Sequence, residues 1–201
     1  MPERPLAIAA QPQRIGPRRG AEAEWYEGPD VRRDARERRL ARDLVELMRL
    51  QRGYEQIERT QVDLARLLRS VCADYPRLCV AGPDPLVFST DSRRLARVVS
   101  TLLDNALLHG APPISVRYDA AEIVVQDGGP GLEPRLLERA TEPFVTGRRA
   151  AGRGVGLGLA IAAHQAAVLG AELRLSNAPG GGAVARLCFD VNASLGESCL
   201  A

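Results

Sequence analysis

The stretch Asp127-Gly128-Gly129-Pro130-Gly131, with Gly154-Val155-Gly156-Leu157-Gly158-Leu159 downstream, decides how this chain is read. The acid and its two glycine-rich turns stand behind a helical segment that ends Leu102-Leu103-Asp104-Asn105-Ala106. Such residue types, in this order, offer the chemistry of a nucleotide site. A carboxylate can accept a hydrogen bond from an adenine amino group, and an asparagine oxygen can ligate Mg²⁺. Glycines let backbone amides approach phosphates where a Cβ would clash.

Working outward, Asp91 can cap a helix from Ser92 to about His109. Leu95, Val98, Val99, Leu102, Leu103 and Ala106 form its apolar face, and Asn105 lies on the other side. Ile114–Tyr118 and Glu122–Gln126 alternate as a β-hairpin whose second strand runs straight into Asp127. Pro134–Ala140 reads as a short helix, and 141–153 as a flexible segment rich in Arg and Gly. Val155–Leu169 is predicted helical and stopped by Gly170, followed by a hairpin of Glu172–Ser176 and Ala183–Asp190. Toward the N-terminus, Val62 to Tyr75 is predicted as an amphipathic helix with Leu64, Leu67, Leu68, Val71 and Cys72 on one face. Short strands are expected near Leu78–Val80 and Leu86–Phe88. Hairpin-joined strands with helices on one face predict an α+β two-layer sandwich, not a doubly wound sheet.

Outside this domain, placed at 61–191, residues 1–30 read as a disordered lead-in and 192–201 as a tail. Residues 31–60 read as a helical segment in which Leu40, Leu44, Leu47, Gln51 and Tyr54 make a short heptad seam. It is too short to be stable alone and needs a partner or its own copy.

Composition removes several classes. The 201 residues hold one ordinary domain plus an appendage, 45% hydrophobic, with a core resting on Leu, Val and Ala. A net charge of +2 gives no reason to expect nucleic acid as a partner. No apolar run is long enough to span a bilayer and the N-terminus has no apolar signal core, so neither membrane insertion nor export is expected. All 27 basic residues are Arg, which excludes a Walker A loop and Lys-nucleophile enzymes. Cys72, Cys79, Cys188 and Cys199 form no Cys-x-x-Cys pair, and two histidines give no zinc spacing. Cys72, Cys79 and Cys188 sit in apolar stretches and are expected to pack as small hydrophobes in a reducing cytoplasm. A dinucleotide fingerprint fails because its third glycine position is Leu159 counted from Gly154 and Ile161 counted from Gly156.

Together, Leu102–Gly110, Asp127–Gly131, Glu142-Pro143-Phe144 and Gly154–Leu159 resemble the N, G1, F and G2 boxes of the ATP-binding domain of sensor histidine kinases. That domain belongs to a superfamily shared with gyrase, the heat-shock chaperone ATPases and mismatch-repair ATPases. Each box is weak alone; four in order are specific. The resemblance implies a two-layer α/β sandwich of the histidine-kinase ATPase type, its sheet mixed and mostly antiparallel, preceded by a helical segment. It further implies that Asn105 holds Mg²⁺ and serves catalysis through it, and that Asp127 binds the adenine amino group. Gly129 and Gly131 would shape the pocket beneath the ring, and Phe144 would anchor a lid. Gly154, Gly156, Leu157 and Gly158 would line the phosphates at a helix N-terminus. ATP and Mg²⁺ are the implied cofactors.

Three departures from the family pattern matter. Thr101 stands where hydrolytic relatives carry a water-activating Glu, so rapid intrinsic hydrolysis is not expected. Leu108 replaces a common cation, a loss that Arg148, Arg149 and Arg153 in the lid could offset. No His precedes His109, so the phosphoacceptor of a complete kinase is missing from the chain. The expectation is a cytoplasmic protein histidine kinase domain that phosphorylates a histidine on a separate dimerisation protein, with a response regulator downstream. A non-catalytic ATP-dependent interaction module and an anti-sigma-type serine kinase stay open as alternatives.

Overall fold

The computed structural model describes Val45, Met48 and residues 56–75, 78–147 and 155–190. The lead-in 1–30, the seam residues Leu40, Leu44, Leu47, Gln51 and Tyr54, and the tail 192–201 lie outside the described residues. From residue 56 on, the described residues follow in the order β1 (Thr60–Asp63), α1 (Leu64–Cys72), β2 (Leu78–Ala81), β3 (Val87–Thr90), α2 (Ser92–His109), β4 (Ile114–Tyr118), β5 (Glu122–Gln126), α3 (Pro134–Leu137), α4 (Gly158–Leu169), β6 (Ala171–Asn177) and β7 (Ala183–Phe189).

The main sheet has the strand order β2-β4-β5-β7-β6. Only β2 and β4 run parallel; the other three pairings are antiparallel. Alternation along the strands separates two faces. Ile114, Val116, Tyr118, Ile123, Val125, Leu187 and Phe189 are buried in one core with α1, α2 and α4. On the opposite face Arg186 pairs with Glu122 at 2.9 Å, and Arg174 with Glu172. This is the expected two-layer α+β sandwich with a mixed, mostly antiparallel sheet.

Helix α2 carries the site and is the best-specified element. Asp91 Oδ1 accepts from the amides of Arg93 and Arg94, both at 3.1 Å, and so caps its first turn. All six residues of the anticipated apolar face are buried. Burying a side chain of this size contributes about 1.5–3 kcal/mol, so this face alone fixes how α2 lies on the sheet.

Four expectations need correction. Val62 does not start a helix: β1 pairs antiparallel with β3, Val62 opposite Phe88, in a separate two-stranded sheet. Asp63 ends that strand and caps α1, its carboxylate accepting from Arg66 N at 3.0 Å. The strand expected at Leu86–Phe88 is displaced to Val87–Thr90, because Leu86 instead uses its carbonyl to accept from Leu64 N. Helix α4 opens at Gly158 and not at Val155, since Gly156 holds φ +74, which no right-handed helix accommodates. Cys79 is exposed, unlike buried Cys72, because β2 is an edge strand and its odd position faces away from the core.

Candidate functional site

Asp127 leaves β5 directly into the first glycine turn and is 5% exposed. Its Oδ1 accepts from Gly129 N at 2.7 Å and from Ala183 N at 3.3 Å. Both bonds fall on Oδ1, and no donor among the described residues bonds Oδ2. A buried carboxylate with one oxygen locked by backbone and the other open is an oriented acceptor.

Glycines make room for that acid. A Cβ on Gly110 would overlap the Asp127 carboxyl carbon and lie 2.7 Å from Oδ1. A Cβ on Gly129 would meet Gly110 Cα at 2.7 Å and Asp127 Oδ1 at 2.8 Å. Gly131 adopts φ +76, with its Cβ direction filled by Asn177. The site therefore brings Asp127, Gly129 and Gly131 together, and adds Gly110 from the end of α2.

Asn105 lies on α2 facing the start of α4. A Cβ on Gly158 would stand 3.5 Å from Thr101 Cγ2 and 3.9 Å from Asn105 Nδ2. Asn105 Nδ2 is buried and has no hydrogen-bond partner among the described residues. An acceptor arriving between α2 and α4 would satisfy this donor. The first turn of α4 has no side-chain cap, which leaves its amides free for an anion. Thr101, one turn before Asn105, spends its hydroxyl on the carbonyl of Arg97 at 2.9 Å. Asp104, beside Asn105, accepts from the Tyr75 hydroxyl at 3.1 Å. Burial, reinforced by the Asp104 charge, pushes the Tyr75 hydroxyl up, so it stays a donor at neutral pH.

On either side of the segment expected to form a lid, Phe144 N donates to the carbonyl of Gly156 at 2.9 Å. A Cβ on Gly156 would strike Val145 O at 2.5 Å, so the two chain segments meet backbone to backbone. Phe144 holds φ +66, a costly conformation for a bulky residue, while its ring is 62% exposed. Leu157 is buried, so only its backbone faces the turn. Glu142 is occupied by Arg139, whose guanidinium lowers its carboxyl below the ordinary value. Arg148, Arg149, Arg153 and Gly154 lie outside the described residues. Leu108 is exposed at the C-terminal end of α2.

Sequence reasoning missed Gly110, Gly182 and Asn177 as builders of this site. Gly182, at φ +91, has no room for a Cβ against Asp127 O, and Asn177 binds the turn after Gly131 through Leu132. The Gly180-Gly181-Gly182 run was visible, but it read as an ordinary hairpin turn.

Known proteins now bear on this geometry. The sequence profile described as histidine kinase-, DNA gyrase B-, and HSP90-like ATPase matches residues 90–193. The sensor protein CseC of Streptomyces coelicolor is 41% identical over 152 residues, covering 75% of this chain and 30% of its own length. Among solved structures, full-length ShkA in complex with AMPPNP aligns with a TM-score of 0.62 at 26% identity, over 76% of this chain and 36% of its own. The ATP-binding domain of PrrB from Mycobacterium tuberculosis aligns with a TM-score of 0.50 at 30% identity, over 65% of this chain and 96% of its own. The chain thus spans about 30% of the length of the two curated CseC sensor proteins it matches. With the profile covering just over half of the chain and these relatives being sensor kinases, the chain belongs to the histidine kinase-, DNA gyrase B- and HSP90-like ATPase family, on its sensor histidine kinase branch.

Proposed function

We propose that this domain binds Mg-ATP and transfers the γ-phosphoryl group to a histidine on a separate polypeptide, in the cytoplasm and upstream of a response regulator. The observation that carries this reading is Asp127, a buried carboxylate with Oδ1 fixed by two amides and Oδ2 open to a ligand donor. The adenine amino group is such a donor, and Gly129 and Gly131 would shape the pocket beneath the ring.

Asn105 fits the phosphate end. Its amide offers an oxygen for Mg²⁺ and an unmet N–H pair for a phosphate oxygen. Among the described residues no three His, Cys, Asp or Glu side chains gather to cage a metal. A Mg²⁺ ion held by one protein oxygen, phosphates and water suits that donor set. Bound there, the ion neutralises charge on the phosphates. Uncapped amides of α4 and the lid arginines Arg148, Arg149 and Arg153 would share that load. Gly156 and Leu157 lead into α4 beside those amides, Phe144 bonds Gly156 there, and Gly154 would add its own amide.

In the transfer itself a histidine nitrogen bonds the γ-phosphorus as the bond to the β-bridging oxygen breaks, and ADP leaves. Positioning and electrostatics do most of the work, so a domain without the nucleophile still carries its own share of the chemistry. The two histidines of the chain, His109 and His164, lie on α2 and α4 within the ATP-binding domain itself. The test is ATP binding, then transfer of labelled phosphate to a histidine-bearing helical hairpin supplied separately. Asp127→Asn should abolish binding and Asn105→Ala should remove its Mg²⁺ dependence. Binding that survives both changes refutes the site; acid-labile phosphate on the chain alone refutes transfer in trans.

A further inference from the structure

The loop that presents Asp127 is gripped at both ends by one cross-strand pair, and we propose that Asn177, a member of that pair, is a positioning residue for adenine recognition. The inference rests on the reading of Asp127 given above. In the β6–β7 hairpin Asn177 stands opposite Ala183. Ala183 holds the start of the loop: its carbonyl accepts from Asp127 N at 3.1 Å and its amide donates to Asp127 Oδ1 at 3.3 Å. Asn177 holds the end: its Oδ1 accepts from Leu132 N at 2.7 Å, and its Nδ2 donates to Leu132 O at 2.8 Å.

This two-point amide grip holds both peptide groups that flank Leu132, as a strand partner would. Local geometry agrees. Gly131 sits at φ +76, where a Cβ would lie 2.6 Å from Asn177 Oδ1, so the glycine accommodates the asparagine as well as the turn. Gly182, at φ +91, lets the hairpin close against Asp127 O.

Consequence for the base follows from what lies between the two grips. Gly129 N, midway along the loop, is the shorter of the two donors that orient the Asp127 carboxylate. Gly128 N donates to Ala111 O at 2.7 Å and restrains the first half of the loop; free the Leu132 end, and Gly129 is held from that side alone, so its place beneath Oδ1 loosens. The acid then keeps its charge but loses its aim. Asn177 is exposed and outside the apolar core, so its loss leaves the sheet and helices intact.

The test uses the full chain carrying Asn177→Ala, with Asn177→Asp as a second variant. Asp keeps the acceptor for Leu132 N–H but sets an anion against Leu132 O, so it should behave like Ala. Amide hydrogen exchange should speed up at Leu132 and Gly129 while Val116 and Val125 keep their protection. Affinity for ATP should fall about tenfold, and affinity for inosine triphosphate, which lacks the 6-amino group, should change less than about twofold. Unchanged exchange at Gly129, or equal losses for both nucleotides, overturns the proposal. A wild-type chain that does not prefer ATP to inosine triphosphate overturns the adenine reading itself, while exchange at Gly129 still decides whether Asn177 holds the loop.

Discussion

Replacing Gly110 by alanine tests the construction of the acid site through steric contact alone. Gly110 holds φ −92 and ψ −156, an extended conformation open to any residue, so the substitution brings no backbone strain. The new methyl would overlap the Asp127 carboxyl carbon, lie 2.7 Å from Oδ1 and press on Ala106 O at 2.6 Å. Ordinary contacts begin near 3.4 Å, so the carboxylate must withdraw by several tenths of an ångström or more. That withdrawal strips Oδ1 of the Gly129 amide at 2.7 Å and stretches the Ala183 bond beyond 3.3 Å. Losing one charge-assisted bond costs about 1.5–3 kcal/mol, and overpacking about 1–3 kcal/mol. Summed, the domain loses about 2.5–6 kcal/mol, the lower half being favoured because the acid can turn toward solvent. For the nucleotide, a misaimed acceptor forfeits the adenine bond, a loss on the order of 10–150-fold in Kd. The assays are urea unfolding and ATP titration. Gly180→Ala serves as the control, because nothing lies within 4 Å of a Cβ there. A Gly110→Ala protein within about 0.5 kcal/mol and twofold of wild type would refute the reasoning, since the clash that generates both numbers would not exist.

Gly158→Ala should separate folding from binding: its Cβ meets Thr101 Cγ2 at an ordinary 3.5 Å, and alanine suits a helix better by about 0.5–1 kcal/mol. Stability should hold or rise while ATP affinity falls at least about tenfold, as the methyl faces Asn105 where phosphates would approach; undiminished affinity would remove the phosphates from that gap. Leu103→Ala, on the fully buried face of α2, should cost about 2–5 kcal/mol in urea unfolding. Of the three cysteines described, exposed Cys79 should react first with iodoacetamide near pH 8, because burial pushes the Cys72 and Cys188 thiols up. Peptide mapping that found Cys72 labelled first would contradict the packing of α1.

How much of this was legible depends on the range over which each signal acts. Helix α2 was readable to the residue because its cap, its apolar face and the glycine beyond its end all lie within one segment. The β4–β5 hairpin was equally local, with its turn closed by Asp119 accepting from Ala121 N and Glu122 N. By contrast, β1 escaped notice because Thr60-Gln61-Val62 has a partner only in β3, and the adjoining Leu64–Cys72 periodicity extended naturally back over it. Single-segment periodicity cannot see a ladder made with residues 24 to 30 positions away. The exposure of Cys79 was hidden for the same reason, since edge position is a property of strand order.

The site divides along the same line. Asp127, Gly129 and Gly131 form a local pattern, and the structure brings them together on one loop. What the pattern could not show is why that loop keeps one shape. Its restraints come from Gly110 on α2 and from Asn177, Gly182 and Ala183 on the last hairpin, none of which carries a chemical signature in sequence. A glycine chosen for space looks like a glycine chosen for a turn, and an asparagine binding backbone looks like any polar residue at a strand end. The residues that would touch a ligand were therefore legible from their chemistry, whereas the residues that aim them emerge only once β5, β6 and β7 are laid side by side. Under the proposed function, recognition of adenine by this single carboxylate would depend on that aim, because one open oxygen, Oδ2, would have to meet one amino group, and every degree of freedom left to the loop would lower affinity.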